Sequence, residues 1–378
     1  MSTVSISSAF DSGNIEVIDA SNPAKVRLAI RPDVGNEHLQ WFHFRVTGVQ
    51  GLPLTLHIEN AGKCSYPDGW PDYQARFSTD RKVWRLAETT YENGVLTIRH
   101  TADADVVWFA YFAPYSHERH LDLLAQCQAS PLARIDCLGT TVDGRELERI
   151  TIGTASPDRK TVWIIGRQHP GESMASWWMD GFLARMLDSH DALARRLRAA
   201  AVFHVVPNMN PDGSIRGHLR CNAAGANLNR EWLAPTAERS PEVLWVRNAM
   251  DDSGVDLCLD VHGDEALPYN FIAGSEGIPG FTPRLAGLLE QFKAAYMLAC
   301  PDFQVRYGYP VTAPGQANMT MCTSQVAQRF DCLAMTLEMP FKDNADLPDS
   351  SVGWSPERCH NLGAAALHPL DAVMAALR

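Results

Sequence analysis

Two histidines and a glutamate have the residue types and the spacing of a metal site. His169 and Glu172 are three residues apart across a Pro-Gly turn, in the segment GRQHPGE that follows an apolar stretch. His262 ends a later apolar stretch, in the segment DVHGD. Two histidines and one carboxylate leave a fourth coordination position of zinc open for water, which is typical of a catalytic site. The sequence therefore predicts one Zn2+ per chain, bound by His169, Glu172 and His262.

Glu338 is a carboxylate inside the otherwise apolar segment CLAMTLEMPF. Burying an unpaired carboxylate costs free energy, and burial raises its pKa. A structural glutamate with a buried partner is one interpretation of this pattern. Next to a zinc site the other interpretation is stronger, because a carboxylate there can take a proton from the attacking water. We therefore predict that Glu338 is the general base.

The segment RCNAAGANLNREW (220–232) combines two arginines with three asparagines. The guanidinium group is a rigid fork that fits a carboxylate, and a cation can also polarise a scissile carbonyl. An enzyme that acts on free peptide C-termini needs both functions. This segment is therefore a candidate for substrate binding, with a solvated surface loop as the alternative.

The elements that position these groups follow from the chain after residue 114, where strand and helix patterns alternate. Apolar strand segments include RKTVWIIGRQ, AVFHVVPNMNPDG, VDLCLDVHGDE and CLAMTLEMPF, with helical patterns between them. The last segment, SPERCHNLGAAALHPLDAVMAAL, is predicted to form one C-terminal helix. Such alternation predicts an α/β fold with a mainly parallel, mixed sheet covered on both faces. Ligand sites of these sheets lie beyond the carboxyl ends of the strands, where both histidines fall.

The first third of the chain has a different pattern. Short segments rich in β-branched and aromatic residues recur, among them LQWFHFRV (39–46), LPLTLHIEN (52–60) and DVVWFAYFA (105–113). Short, evenly spaced strands predict an antiparallel β-sandwich. The first helix is expected after a cap at Ser116. We therefore predict two domains, a β-sandwich over residues 1–114 and an α/β catalytic domain over residues 115–378.

The composition argues against several classes of function. The 378-residue chain has 46% hydrophobic and 20% charged residues, which is typical of a folded protein. Its formal net charge of -11 and its lack of a basic run argue against nucleic acid as a partner. The start of the chain does not resemble a secretory signal, and no apolar run is long enough to span a membrane. Nine scattered cysteines without a CxxC pair indicate free thiols, so we expect a cytoplasmic protein without a membrane partner.

Taken in order, the chemical motifs resemble the zinc metallocarboxypeptidases, and specifically the cytosolic carboxypeptidase subfamily. The ordered set is HPGE (169–172), RCNAAGANLNRE (220–231), DVHGD (260–264) and TLEMPF (336–341). The β-rich leader resembles the N-terminal β-sandwich of that subfamily, and FAPYSHERH (112–120) resembles its interdomain junction. The resemblance covers nearly the whole chain and implies a metalloprotease of the hydrolase class.

The resemblance also implies a reaction and a role for each site residue. The reaction is hydrolysis of C-terminal amino acids from peptides or proteins, which makes their C-termini the expected partners. The implied roles are zinc ligand for His169, Glu172 and His262, general base and acid for Glu338, oxyanion stabilisation for Arg220, and binding of the terminal carboxylate for Asn229 and Arg230.

Two features concern the substrate more closely. Digestive relatives place a tyrosine over the substrate, but the loop VTAPGQANMTMCTSQVAQRF has none, and Tyr307 and Tyr309, just upstream of it, are the candidates to replace it. Relatives in the subfamily often remove a C-terminal glutamate, which requires a cation in the specificity pocket. Arg306 and Arg329 are the candidates for that cation, and an acidic preference is the corresponding expectation.

Two other functions fit part of the pattern. A zinc amidohydrolase that deacylates an N-acyl amino acid, similar to aspartoacylase, would share the HxxE motif and the later histidine. A non-catalytic binding module would keep the fold with a degenerate site. The LNRE stretch and the β-rich leader favour the carboxypeptidase over the amidohydrolase, and the presence of every expected catalytic residue disfavours the binding module.

Overall fold

The computed structural model describes residues 4–378, and its first part contains two five-stranded sheets. Their strands are β1 (Ser5–Ser7), β2 (Glu16–Asp19), β3 (Val26–Ala29), β4 (His43–Thr47), β5 (Pro53–Ile58), β6 (Arg76–Ser78), β7 (Arg85–Leu86), β8 (Glu88–Glu92), β9 (Val95–Thr101) and β10 (Val106–Ala110). One sheet has the order β1-β4-β10-β6-β7 and the other β2-β3-β5-β9-β8. Neighbouring strands are antiparallel except β3 and β5, which are parallel. The predicted antiparallel arrangement is therefore confirmed apart from this one pair.

The two sheets pack face to face through alternating apolar side chains. In β5, Leu54, Leu56 and Ile58 are buried, whereas the side chains between them are more exposed. This is the period-two pattern of a strand with one face on the core. Across the interface, the ring of His100 on β9 lies 4.2 Å from that of Phe77 on β6. The alternation that predicted strands thus also places the core between the sheets.

The second part of the chain forms a seven-stranded mixed sheet with the order β11-β12-β14-β13-β15-β17-β16. Its strands are β11 (Ala133–Thr140), β12 (Glu146–Ile152), β13 (Lys160–Gly166), β14 (Ala201–Val206), β15 (Leu257–Asp264), β16 (Phe271–Ala273) and β17 (Leu333–Pro340). The four central strands, β14, β13, β15 and β17, are parallel, and the outer strands pair antiparallel. The predicted mixed, mainly parallel sheet is confirmed.

Helices cover both faces of this sheet. They are α1 (His117–Ala129), α2 (Met174–Met186), α3 (Ala192–Ala200), α4 (Pro211–Arg216), α5 (Pro241–Ser253), α6 (Pro283–Ala299), α7 (Cys322–Phe330), α8 (Pro356–Ala365) and α9 (Leu367–Met374). Successive side chains of β13 enter two separate cores: Val162 and Ile164 pack on the side of α2, α6, α8 and α9, while Trp163 and Ile165 pack on the side of α5 and α7. Both faces of β13 are therefore buried, which explains why its sequence is a continuous apolar run.

The C-terminal segment is two helices rather than the single helix expected. α8 ends at Ala365 and α9 begins at Leu367. Pro369 explains the break, because its ring has no N–H and would clash with the carbonyl oxygen four residues earlier, that of Ala365. Ser116 caps α1 as predicted, since its side chain accepts a hydrogen bond from Arg119 N.

The β-rich first part and the α/β second part share one continuous apolar core. The ring of Tyr111 stacks 4.4 Å from that of Phe341, and Arg76 Nη2 donates to the carbonyl of Phe341 at 3.2 Å. The division of the chain at residues 114 and 115 stays a prediction. Within residues 4–378, no helix is both long enough and apolar enough to cross a membrane.

Candidate active site

The residues predicted to bind metal lie where neighbouring parallel strands end. β13 ends at Gly166 and leads into the turn that carries His169 and Glu172. His262 lies near the end of β15, directly opposite Glu338 of β17 in the register of the two strands. Since β13, β15 and β17 are adjacent and parallel, their carboxyl ends form one edge of the sheet. That edge is where α/β proteins bind ligands.

The turn after β13 is shaped by Arg167, for which no sequence pattern indicated a role. Its φ of 58° lies in the left-handed region, where residues other than glycine are uncommon. Its buried side chain donates from Nε to the carbonyl of Pro170 and from Nη1 to the carbonyl of Tyr115, both at 3.0 Å. Burial lowers the pKa of Arg167 to about 10, so it remains a cation at neutral pH. These bonds fold the side chain back over the turn and hold it in place.

The three predicted ligands converge on one point. Nδ1 of His169 lies 3.2 Å from Nδ1 of His262. The carboxylate of Glu172 spans both rings, with Oε1 2.7 Å from Nδ1 of His169 and Oε2 2.8 Å from Nδ1 of His262. All three side chains are buried, and one possible ligand atom from each lies within 4.8 Å of the others. The structure thus brings the three residues together, and their binding of zinc stays a prediction.

An oxygen atom holds the far side of each imidazole. Nε2 of His262 lies 2.9 Å from Oδ2 of Asp260, and Nε2 of His169 lies 3.1 Å from Oδ1 of Asn227. An acceptor at Nε2 places the ring proton there and leaves Nδ1 with a free lone pair. Both rings therefore present Nδ1 to the same point, as two ligands of one ion would.

A buried glutamine supports this arrangement. Gln168 Nε2 donates to Oδ2 of Asp260 at 2.6 Å, and Trp232 Nε1 donates to Oε1 of Gln168 at 2.8 Å. Gln168 and Asp260 have no exposed surface. A chain of buried hydrogen bonds therefore fixes the orientation of Asp260 and, through it, that of His262.

The charges of the cluster favour a bound cation. Burial would raise the pKa of Glu172, but His169 and His262 outweigh it and lower that pKa, so the group is ionised. Burial disfavours the charged form of His262, yet Asp260 and Glu172 outweigh burial and raise its pKa, so a metal that binds at Nδ1 would displace a proton there. Burial and the nearby Arg220 lower the pKa of His169 to about 3, which keeps it neutral. The carboxylate of Glu172 and the neutral imidazole of His169 thus lie at a position that favours positive charge, which fits zinc.

Glu338 faces the same position from β17. Its side chain is 7% exposed, and its Oε2 is buried without a hydrogen-bond partner among residues 4–378. Burial raises the pKa of Glu338 well above its usual value, with His262 opposing the shift and Glu172 adding to it. An unpartnered, buried carboxyl oxygen costs free energy, which points to a functional rather than a structural role.

A cavity of about 540 Å³ opens over this cluster. All seven predicted site residues line it: His169, Glu172, Arg220, Asn229, Arg230, His262 and Glu338. A larger cavity, of about 900 Å³, lies between the β-rich region and helices α1 and α2, and contains none of the seven. The smaller cavity is the candidate active site, because it brings together possible metal ligands, a buried carboxyl group and two guanidinium groups.

Comparison with known proteins identifies the family. A family profile described as cytosolic carboxypeptidase N-terminal domain matches residues 6–112, and one described as zinc carboxypeptidase matches residues 118–270. A metallo-carboxypeptidase from Burkholderia cenocepacia is 47% identical, with a TM-score of 0.96 and coverage of 99% of each chain. This chain belongs to the zinc carboxypeptidase family.

Two further relatives define its place among the zinc carboxypeptidases. A metallo-carboxypeptidase from Pseudomonas aeruginosa, solved in complex with (2-guanidinoethylmercapto)succinic acid, is 45% identical, with a TM-score of 0.96 and coverage of 99% of this chain and 100% of that one. Cytosolic carboxypeptidase 3 of Bos taurus is 29% identical over 337 residues, which cover 79% of this chain and 33% of that protein. The chain thus spans about a third of that relative's length. The predicted resemblance is confirmed, and the chain is a hydrolase of the peptidase class.

The predicted substrate-binding residues of this zinc carboxypeptidase offer free donors to the cavity. Within residues 4–378, the guanidinium of Arg220 makes no hydrogen bond or ion pair, although it lies 5.4 Å from the ring centroid of Tyr66. Asn229 accepts a hydrogen bond at Oδ1 from Cys322 N at 2.9 Å, which leaves its Nδ2 as a donor. Arg230 donates from Nη1 to the carbonyl of Asn229 at 2.7 Å. Arg220, Asn229 and Arg230 therefore line the cavity with hydrogen-bond donors and do not belong to a solvated surface loop.

The structure contradicts both candidates for the specificity cation. Arg329 pairs with Asp251 at 2.6 Å, and Arg306 pairs with Asp346 at 3.1 Å. Neither arginine lines the cavity. The reason is that each guanidinium is satisfied by a carboxylate at the protein surface, a partner that no local sequence pattern identifies.

The cavity has other residues instead. Tyr309, but not Tyr307, lines it, and the Tyr309 hydroxyl donates to Oδ2 of Asp264 at 2.6 Å. Lys293 of α6 and Tyr66 of the β-rich region also line it. Lys293 lies in an ordinary amphipathic helix and Tyr66 in a remote turn, so neither carried a chemical signal in the sequence.

Proposed function

We propose that this zinc carboxypeptidase removes C-terminal amino acids from peptides or proteins at one zinc ion held by His169, Glu172 and His262. The observation that carries the proposal is the convergence of two imidazole Nδ1 atoms and a carboxylate beside the unpartnered carboxyl oxygen of Glu338. Bound there, zinc would polarise the scissile carbonyl and lower the pKa of a water molecule. The other tasks of catalysis belong to side chains of the cavity.

Glu338 is the proposed proton carrier. As a carboxylate it accepts a proton from the attacking water, and as a carboxylic acid it returns that proton to the leaving amine nitrogen. Burial favours the protonated form of this side chain, which helps it to hold the proton between the two steps. Its place opposite His262 in the β15–β17 register supports this role, because the base must act next to the metal ligands.

Three residues of the 220–230 segment are proposed to bind the substrate. The free guanidinium of Arg220 would stabilise the negative charge that develops on the carbonyl oxygen. Nδ2 of Asn229 and the guanidinium of Arg230 would bind the terminal carboxylate, for which a guanidinium offers paired donors. Burial and the proximity of Arg220 lower the pKa of Arg230, which is the electrostatic setting expected of an anion site.

We further propose a preference for an acidic C-terminal residue, with Lys293 as the recognising cation. Lys293 lines the cavity, and its Nζ lies 3.9 Å from Glu276, which also lines it, and 3.5 Å from Glu290 of the same helix. An acidic substrate side chain would compete with both glutamates for Lys293. The alternative is that Glu276 selects a basic C-terminal residue. The compound bound to the Pseudomonas aeruginosa relative carries a guanidino group, which is the feature that such a pocket would recognise.

The proposed setting is the cytoplasm, where peptide and protein C-termini would be the substrates. Curated relatives from Bos taurus and Mus musculus are named cytosolic carboxypeptidases, and all nine cysteines are free, eight of them buried. A reducing compartment keeps such thiols free.

The test is digestion of a peptide library with varied C-terminal residues by the full chain, with and without a chelator, read by mass spectrometry. We expect chelator-sensitive loss of single C-terminal residues, fastest for glutamate and aspartate. The same peptides with amidated C-termini are the matched control and should resist cleavage. Cleavage of N-acyl amino acids without cleavage of peptides would replace the proposal with the amidohydrolase function.

A substitution at Lys293 tests the specificity separately from the carboxypeptidase function. Lys293→Met should reduce cleavage of peptides that end in glutamate or aspartate more than cleavage of peptides that end in alanine. If wild-type protein prefers basic C-terminal residues, the acidic specificity is wrong while the carboxypeptidase function stands.

A further inference from the structure

An aspartate of the β-rich region reaches the loop that carries Arg220. Asp33 is 2% exposed and follows β3. Its Oδ1 accepts a hydrogen bond from Leu219 N at 2.7 Å, and its Oδ2 accepts from the backbone N of Arg220 and of Cys221, both at 2.8 Å. Three successive N–H groups that point at one carboxylate form a backbone nest, which favours a bound anion. Here the anion is a side chain from a distant part of the chain.

Neighbours of Asp33 hold the rest of the same loop. Val34 N donates to Nε2 of His218 at 3.1 Å, and Nδ2 of Asn36 donates to the carbonyl of Gly225 at 3.1 Å. Gly225 has a φ of 73°, and a Cβ there would lie 2.6 Å from the carbonyl oxygen of Gly35. Only glycine permits this approach of the two backbones. Residues 33–36 therefore clamp the loop on both sides of Arg220.

The same restraint extends to the metal turn through Leu219. While its N–H is held by Asp33, its carbonyl accepts a hydrogen bond from Gly171 N at 2.9 Å. Gly171 directly precedes Glu172, one of the predicted ligands. The backbone of Leu219 therefore fixes the distance between the arginine loop and the metal turn.

The Arg220 side chain itself has few protein contacts. Within residues 4–378, its guanidinium donates no hydrogen bond, and the ring of Tyr66 lies beside it at 5.4 Å from Cζ to the ring centroid. This distance allows a cation–π interaction. Tyr66 belongs to the β-rich region as well. The place of the guanidinium in the cavity thus depends on the backbone held by Asp33 and on the ring of Tyr66.

We propose that Asp33 and Tyr66 are positioning residues that set the Arg220 guanidinium relative to the metal ligands, so that the β-rich region completes the active site. Neither residue takes part in bond making, and each acts through Arg220. The inference rests on the role of Arg220 in the proposed function. The experiment therefore includes an Arg220 variant, which separates a failure of that role from a failure of the positioning.

The test is a double-mutant cycle on peptide cleavage with the full chain. Asp33→Asn keeps the side-chain size but turns an amide NH2 toward at least one N–H of the nest. We expect kcat to fall about 10-fold to 100-fold, because a small misplacement of a transition-state contact has that effect. KM and zinc content should stay near their wild-type values. In the Arg220→Ala background, the same substitution should cause no further loss.

Asp80→Asn is the matched control. Asp80 also lies in the β-rich region, and its Oδ1 accepts hydrogen bonds from the backbone N of Lys82 and Val83, away from the cavity. It should leave kcat unchanged. Losses that multiply in the Asp33→Asn, Arg220→Ala double variant, or an unchanged kcat for Asp33→Asn, would overturn the positioning role. Wild-type kcat in Arg220→Ala alone would instead refute the proposed role of Arg220.

Tyr66→Leu keeps the inference testable if Asp33→Asn does not fold. This substitution removes the ring beside the guanidinium and leaves the nest intact. A loss of kcat that disappears in the Arg220→Ala background supports the positioning role. A loss that persists there shows that Tyr66 acts on the substrate directly, and contradicts it.

Discussion

The metal cluster and the arginine loop line one cavity but are built in different ways. His262 and Glu338 lie opposite each other on adjacent strands, and Asp260 of the same strand orients His262. Arg220 lies in a loop whose N–H groups are held by Asp33, from the other part of the chain. The residues that would activate water are thus positioned mainly by strands and turns of the α/β part, whereas Arg220 is positioned directly by a residue of the β-rich part.

This difference leads to different expectations for substitutions. A change in the metal cluster should abolish turnover or metal binding, because each residue there has a specific chemical role and must keep its position. A change in the arginine loop should alter substrate handling while the metal remains bound.

Glu338→Gln should cause the largest loss. The amide cannot accept a proton from water or return it to the leaving amine, so we expect kcat to fall about 1,000-fold or more. Zinc content should be unchanged, because Glu338 is not one of the three predicted ligands. Steady-state kinetics and metal analysis check both points. Glu148→Gln, a substitution on β12 outside the cavity, is the control. Substantial activity in Glu338→Gln would remove the assigned role.

Asp260→Asn should weaken zinc binding by about 10-fold to 100-fold, because the residue that orients a ligating imidazole is typically worth that much. Competition with a chromogenic chelator measures the affinity. Asp256→Asn is the matched control, since Asp256 lies just before the same strand and its Oδ2 accepts a hydrogen bond from Thr161 N. Equal zinc affinity in the two variants would contradict the orienting role of Asp260.

Arg230→Ala should raise KM for peptides about 10-fold, with a smaller effect on kcat, because it removes a charged hydrogen-bond donor to the terminal carboxylate. Zinc content should not change. Arg239→Ala is the control, since Arg239 pairs with Glu231 outside the cavity. A KM equal to that of wild-type protein would show that Arg230 does not contact the terminal carboxylate.

The contrast between cluster and loop also explains what the sequence could reveal. His169, Glu172 and His262 stood out as candidate ligands because strand ends and a tight turn give them a local pattern with a chemical meaning, and the structure brings the three together. Glu338 stood out as a candidate base because a carboxylate is unusual in an apolar strand, and the structure places it in the same cavity. The β-rich and α/β halves were predictable for the same reason, since period-two alternation and continuous apolar runs are local signals.

Residues that act across long separations carried no such signal. Asp33 sits in an ordinary turn sequence, RPDVGN, and its partner N–H groups could be any in the chain. Arg306 and Arg329 were plausible by charge alone, but their surface carboxylate partners are set by tertiary packing. Lys293 does line the cavity, but the sequence of its amphipathic helix has no feature that distinguishes this lysine from a surface lysine. Contacts between residues far apart in the chain are therefore visible only in the folded structure.

The central claim is that His169, Glu172 and His262 together bind one catalytic zinc ion. The most direct measurement is the zinc content of purified protein and of the three single alanine variants at these positions. His204→Ala is the matched control, since His204 is a buried strand histidine outside the cavity. We predict about one zinc per chain in wild-type protein and in the control, and almost none in the three variants. Full zinc content in folded variants would contradict the account.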